Sequence, residues 1–248
     1  MGRAAALLIL FAALWAWFEV APHLHRLSLG QNVLLIGVVV MPAVFGLALA
    51  ALPLRKAPVL TVVAIVVVLV AAAIALGALH FDIASNFAKF GALTALGWVF
   101  LQLFEGLYLV VAVALVVPFV DAVSVWRGPT RFVTDKHPAV FTKLSIAFVV
   151  PHTPPARIGL PDVLFFAVFL GASDRFGLRP FWTWISMCAG LGLTIAATTY
   201  WSNGGLPALP AISLGFLLPN ADLIWKRLRL ELESRHNPDL AIDRPPEE

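Results

Sequence analysis

Residues 84–126 read ASNFAKFGALTALGWVFLQLFEGLYLVVAVALVVPFVDAVSVW. A helix crosses the hydrocarbon of a bilayer in about 20 residues, with roughly 17 to 25 tolerated, so this stretch is too long for one span. Glu105-Gly106 falls in its middle, where a charge and a helix breaker fit a tight turn. The stretch therefore predicts two antiparallel membrane helices, at 84–103 and 107–126. Outward from it, further spans are predicted at 4–20, 31–53, 58–79, 158–174, 181–201 and 206–225. The fold class is all-α: a polytopic transmembrane helix bundle of about eight to nine spans.

Composition agrees. Sixty per cent of the 248 residues are apolar and 12% are charged, against about 25% charged in an ordinary soluble domain. A soluble fold of this length has too little interior for so many apolar side chains, so most of them need lipid as solvent. A cytosolic enzyme, a secreted disulfide scaffold and a disordered chain are excluded. The single cysteine, Cys188, cannot form an internal disulfide, and no Cys/His cluster predicts a metal site. The net charge of +3 comes from short basic loops and not from the dense stripe of a nucleic-acid binder.

Tryptophan checks the boundaries independently, because indole rings favour the interface. Trp126, Trp201 and Trp225 fall at predicted ends, Trp182 and Trp184 at a predicted start, and Trp15 and Trp17 near an end. The first span lacks a small-residue cleavage site and is expected to be a retained helix rather than a signal peptide. The chain divides into N-terminal transmembrane helices (1–80), a second group of helices (81–225) interrupted by the loop 127–157, and a polar tail (226–248). Arg127, Arg131, Lys136, Lys143 and Arg157 place that loop in the cytoplasm by the positive-inside rule. Arg175, Arg179, Lys226, Arg227 and Arg229 then fall outside, against the same rule.

Ionisable residues inside spans are costly unless paired or hydrated. Lys89, Glu105, Asp174 and Asp222 lie within reach of an end or a turn and read as solvated boundary residues. Asp121 and Asp162 differ. One lies near the end of the helix entering the long loop and the other near the start of the helix leaving it, so both carboxyls approach one membrane face. Packed side by side, the two helices would let the carboxyls share a proton. That is the requirement of aspartyl proteolysis, in which one member takes a proton from water and the other donates to the peptide carbonyl. The plainer alternatives are that each Asp merely lines a polar cavity or bonds a neighbouring backbone, or that the two are the titrating pair of a proton-coupled transporter or channel.

Pro118, three residues before Asp121, withholds an amide from the carbonyl of Ala114. In Gly159-Leu160-Pro161-Asp162 a proline stands just inside a helix start. Leu206-Pro207-Ala208-Leu209-Pro210 cannot extend a regular helix backward, and unpaired backbone in a membrane needs a cavity or a partner.

At these three places the sequence resembles the presenilin and signal peptide peptidase family of intramembrane aspartyl proteases. The family carries Tyr-Asp, Gly-x-Gly-Asp and Pro-Ala-Leu. The counterparts here are Val120-Asp121, Gly159-Leu160-Pro161-Asp162 and Pro207-Ala208-Leu209. Arg127-Gly128-Pro129 is similar to the family's Lys-Gly-Pro, and the run from Leu144 to Pro151 is similar to the apolar stretch before Gly-x-Gly-Asp. The match covers residues 90–225 in order. Val120 replaces the tyrosine and Pro161 the second glycine, and the family usually has nine spans where eight are counted here.

The resemblance implies a presenilin-like bundle in a prokaryotic cell membrane. Asp121 and Asp162 would be catalytic, and single-pass helices or signal peptides would be the substrates. Gly159, Leu160 and Pro161 would contact substrate on one side and Pro207, Ala208 and Leu209 on the other. No cofactor or metal is implied, because water is the nucleophile. A buried scissile segment must unwind, and Ser145–Val150 is expected as an extended strand that accepts it, with Ile146 and Phe148 in contact. A substrate-binding relative without activity would accommodate Val120 and Pro161. A prepilin-type peptidase would leave Pro207-Ala208-Leu209 unexplained.

Overall fold

A computed structural model describes residues 2–127, 142–151, 155–201 and 206–236. It is mostly helical. Helix α1 is Arg3–Val20, and α2, Leu29–Leu34, starts at a capping box between Ser28 and Gln31. The helix then widens into a π segment, Leu35–Val40, before α3, Met41–Ala51. Pro42 explains the widening, since its ring clashes with the preceding turn of a regular helix. A 3₁₀ turn, Leu52–Lys56, follows. Helices α4 (Val59–Ala78), α5 (Asp82–Leu101) and α6 (Leu107–Arg127) come next, with Glu105-Gly106 in the predicted turn.

Strands β1 (Ser145–Phe148) and β2 (Ala156–Gly159) form an antiparallel hairpin. It runs directly into α7, Leu160–Arg175. Helices α8 (Pro180–Trp201), α9 (Leu209–Leu217) and α10 (Ala221–His236) complete the described chain.

Five segments are long and apolar enough to cross a membrane: Ala4–His23, Leu29–Lys56, Val59–Ala78, Leu107–Arg127 and Pro180–Trp201. Helix α7 is the centre of the bundle, with every side chain from Phe166 to Ser173 buried. Phe45 packs against Phe166 with centroids 4.1 Å apart, and Phe169 stacks on Phe216 at 5.0 Å. Close helix approach depends on glycine. A Cβ at Gly97 of α5 would stand 2.7 Å from the Leu164 carbonyl of α7, and one at Gly215 of α9 would stand 2.6 Å from Met187 Cα of α8.

Three sequence expectations change. The predicted span 206–225 is broken by a 3₁₀ turn at Leu218–Asn220, where Pro219 interrupts the helix. The polar tail starts as helix, since α10 runs to His236; residues 237–248 lie outside the described residues. Asp174 is not a solvated boundary residue, because it forms an ion pair with the buried Arg55.

That pair helps to define one end of the bundle. There Arg175 also donates to the carbonyl of Leu101 at 2.8 Å, and Arg179 makes two 2.7 Å bonds to Asp222. The Arg179 guanidinium holds the exposed Asp222 carboxyl below the usual carboxylate range.

Candidate active site

The opposite end holds both aspartates. Asp121 lies on α6 one turn past Pro118 and is half-buried. Its Oδ2 accepts the amide of Leu209 at 3.0 Å, and the Ala208 amide serves the same carboxylate. Leu206, Pro207 and Ala208 precede the first turn of α9, so these amides have no helical carbonyl to donate to. The orphaned backbone of the Pro-Ala-Leu segment is therefore satisfied by the carboxylate on α6.

Asp162 is the third residue of α7 and is half-buried. Its Oδ2 accepts the amide of Gly159, the N-cap, at 3.1 Å. A Cβ at position 159 would stand 3.2 Å from that oxygen, so glycine leaves the carboxylate its place. Each aspartate thus accepts backbone amide N–H at the start of a helix, Asp121 at α9 and Asp162 at α7. Asp121 near the end of α6 and Asp162 at the start of α7 lie at the same end of the bundle.

The two departures from the family pattern stand away from these contacts. Val120 is 62% exposed, and Pro161 is exposed at the second position of α7. There its missing amide would have no intrahelical partner in any case.

The hairpin borders the site. Its register pairs Ser145 with Gly159, Ile146 with Ile158, Ala147 with Arg157 and Phe148 with Ala156. The Ala147 amide donates to Asn86 Oδ1 at 2.8 Å, and Asn86 Nδ2 donates to the Ala147 carbonyl at 3.0 Å. Lys89 Nζ donates to the Ser145 carbonyl at 3.2 Å. In an antiparallel pair a residue turns its N–H and C=O to the same side. Ala147 and Ser145 therefore face α5, and their partners Arg157 and Gly159 face away from β1. The Gly159 amide goes to Asp162. The Arg157 N–H and C=O line the outer edge of β2, while the Gly159 C=O, at the N-cap of α7, accepts the first bond of that helix.

This arrangement corrects the strand reading. Both edges of β1 are occupied, one by β2 and the other by α5, so an added strand has only β2 to pair with. Ile146 and Phe148 are fully buried, and Phe148 packs on Phe45. Their side chains hold the hairpin to the core and do not face a substrate. Gly159, Leu160 and Pro161 surround Asp162, and Ala208 and Leu209 meet Asp121 as described, with Pro207 next in the chain.

Sequence reasoning missed β2 and Asn86. The available signal was a pair of polar residues, Asn86 and Lys89, three apart on one face of an apolar helix. Among the described residues no three His, Cys, Asp or Glu side chains converge as metal ligands. A scan against protein-family models gives no match, and a search of curated proteins gives none.

Proposed function

We propose that this chain is an intramembrane aspartyl protease of the presenilin and signal peptide peptidase type. It would hydrolyse peptide bonds within transmembrane helices or signal peptides. The observation that carries the reading is the dyad. Two carboxyls from separate helices lie at one end of the bundle, each accepting a backbone amide at the start of a helix.

The pair holds one proton between its members. The ionised carboxylate takes a proton from water as the water oxygen bonds to the peptide carbonyl carbon, and the protonated carboxyl gives its proton to the carbonyl oxygen. The tetrahedral diol then collapses. A diol hydroxyl gives its proton to the ionised carboxylate as the C=O re-forms and the C–N bond breaks. The protonated carboxyl gives its proton to the amine nitrogen, which leaves the carboxylic product and a dyad holding one proton as before.

A helical substrate must first unwind, which frees its backbone groups in a medium without water. The outer edge of β2 supplies partners for them, beside Asp162. The chain is read as crossing the membrane eight times. On that reading the ion-pair end, with Arg55–Asp174 and Arg179–Asp222, would face one side of the membrane and the dyad end the other.

The test is incubation of purified protein with a labelled single-pass peptide. Asp121→Asn and Asp162→Asn should each lower cleavage by about a thousandfold, because an amide cannot relay the proton. Cleavage that persists undiminished in the double variant would sink the assignment.

A further inference from the structure

We infer that Asn86 is a positioning residue for the dyad, acting through the hairpin without touching substrate. The inference rests on the protease reading above. Asn86 is 7% exposed, and its carboxamide takes the place of a third strand. It accepts from one outward backbone group of Ala147 and donates to the other, at 2.8 and 3.0 Å. One turn along α5, Lys89 closes the Ser145 carbonyl at 3.2 Å. The neighbouring Ser85 donates to the Ala73 carbonyl of α4 at 2.8 Å, so the turn that carries Asn86 is itself tied down.

The hairpin is therefore gripped on its inner edge by α5 and on one face by the core, through Ile146, Phe148 and Ile158. Its last residue, Gly159, holds Asp162. Asp121 has a separate anchor, the amide of Leu209 on α9. A slide of the hairpin along α5 would shift the open edge of β2 and Asp162 together, relative to Asp121. Asn86 thus sets where a substrate strand, paired on β2, lies against the two carboxyls.

A purely structural asparagine would affect folding but not the choice of bond. Cleavage position separates the two roles. A paired strand keeps the same side chains on each face only when it slips by two residues. Asn86→Leu keeps the approximate shape and removes both hydrogen bonds.

The assay uses the full-length protein with a labelled single-pass peptide, and reads product termini by mass spectrometry alongside kcat. Folded Asn86→Leu should cut at the wild-type bond and also two residues away, with kcat lowered about tenfold or more. Lys89→Met, which keeps the packing of the stem, should broaden the products in the same sense to a smaller degree. A folded Asn86→Leu that cuts only the wild-type bond at the wild-type rate overturns the inference. Where Asn86→Leu is not recovered folded, Lys89→Met decides on the same readout, with one bond and an unchanged rate as the overturning result. A wild type that cuts nothing overturns the protease reading and this inference with it. Cleavage that needs Asp121 and Asp162 but ignores Asn86 and Lys89 overturns this inference alone.

Discussion

Position 159 shows how a single atom bears on the dyad. Its backbone angles, φ −65° and ψ 153°, suit any residue, so alanine there brings no backbone strain. The added Cβ would nevertheless meet Asp162 Oδ2 at 3.2 Å and push the carboxylate aside. Gly159→Ala should fold normally yet lose kcat by about tenfold, with KM little changed, as measured with the labelled peptide. Val120→Tyr and Pro161→Gly change exposed positions that hold neither carboxylate, and should leave kcat within a few-fold of wild type. The two aspartates were legible in the sequence because a charge in an apolar run needs a reason. Asp174 was misread, since nothing local ties it to Arg55, 119 residues away. Ile146 and Phe148 were misread because an apolar extended run looks the same whether its side chains enter a core or face a ligand.

Among the elements, the hairpin separates folding from docking. Ile146 exchanges its backbone bonds with Ile158 inside the ladder, so proline there breaks the hairpin itself. Arg157 turns its N–H outward, and Arg157→Pro removes only an edge donor from the backbone. Its side chain also donates to the Thr142 carbonyl and the Ser145 hydroxyl at 3.1 and 3.2 Å, so Arg157→Ala is the needed control. Strand addition on β2 predicts a large rise in KM for Arg157→Pro beyond that of Arg157→Ala, with the apparent Tm of the two alike. Equal kinetics for the two variants would remove β2 from the substrate path. At the other end of α7, Asp174→Asn strands the buried Arg55 guanidinium and should destabilise by about 3–5 kcal/mol. Arg55→Met with Asp174→Leu should recover most of that loss, because no unpaired charge remains. Thermal unfolding in one detergent, compared across the three chains, measures both. Strand β1 was legible from its β-branched and aromatic residues bounded by Lys143 and Pro151. Strand β2 was hidden because its Ile158-Gly159 end merges into the apolar run of α7.

For the molecule as a whole, hydropathy sees the helices that face lipid better than those that face protein. Helix α5 carries Asp82, Ser85, Asn86 and Lys89, α7 has 16 residues and α9 has nine. All three are enclosed by neighbours, so their polar or short sequences need not satisfy hydrocarbon alone. If they nevertheless cross, the chain alternates between two faces in a way that labelling can read. Cys188 is buried and is the only cysteine, so Cys188→Ser gives a clean background. Lys56, Glu105 and Lys226 are exposed near the ion-pair end, while Arg26, His80 and Lys143 are exposed near the dyad end. Single cysteines at the first three positions should react with a membrane-impermeant maleimide from one side of sealed vesicles, and those at the last three only from the other. Reaction of positions 80 and 105 from the same side would remove α5 as a crossing helix, and with it the eight-span count. The same experiment fixes orientation, which cation counting leaves contested. The loop cations argue for a cytoplasmic dyad end, but Lys56, Arg175, Lys226, Arg227 and Arg229 gather at the other, and the rule counts cations near span ends rather than net charge. Labelling of Lys143→Cys from the cytoplasmic side would place proteolysis at the inner leaflet, whereas labelling from the opposite side would place it at the outer.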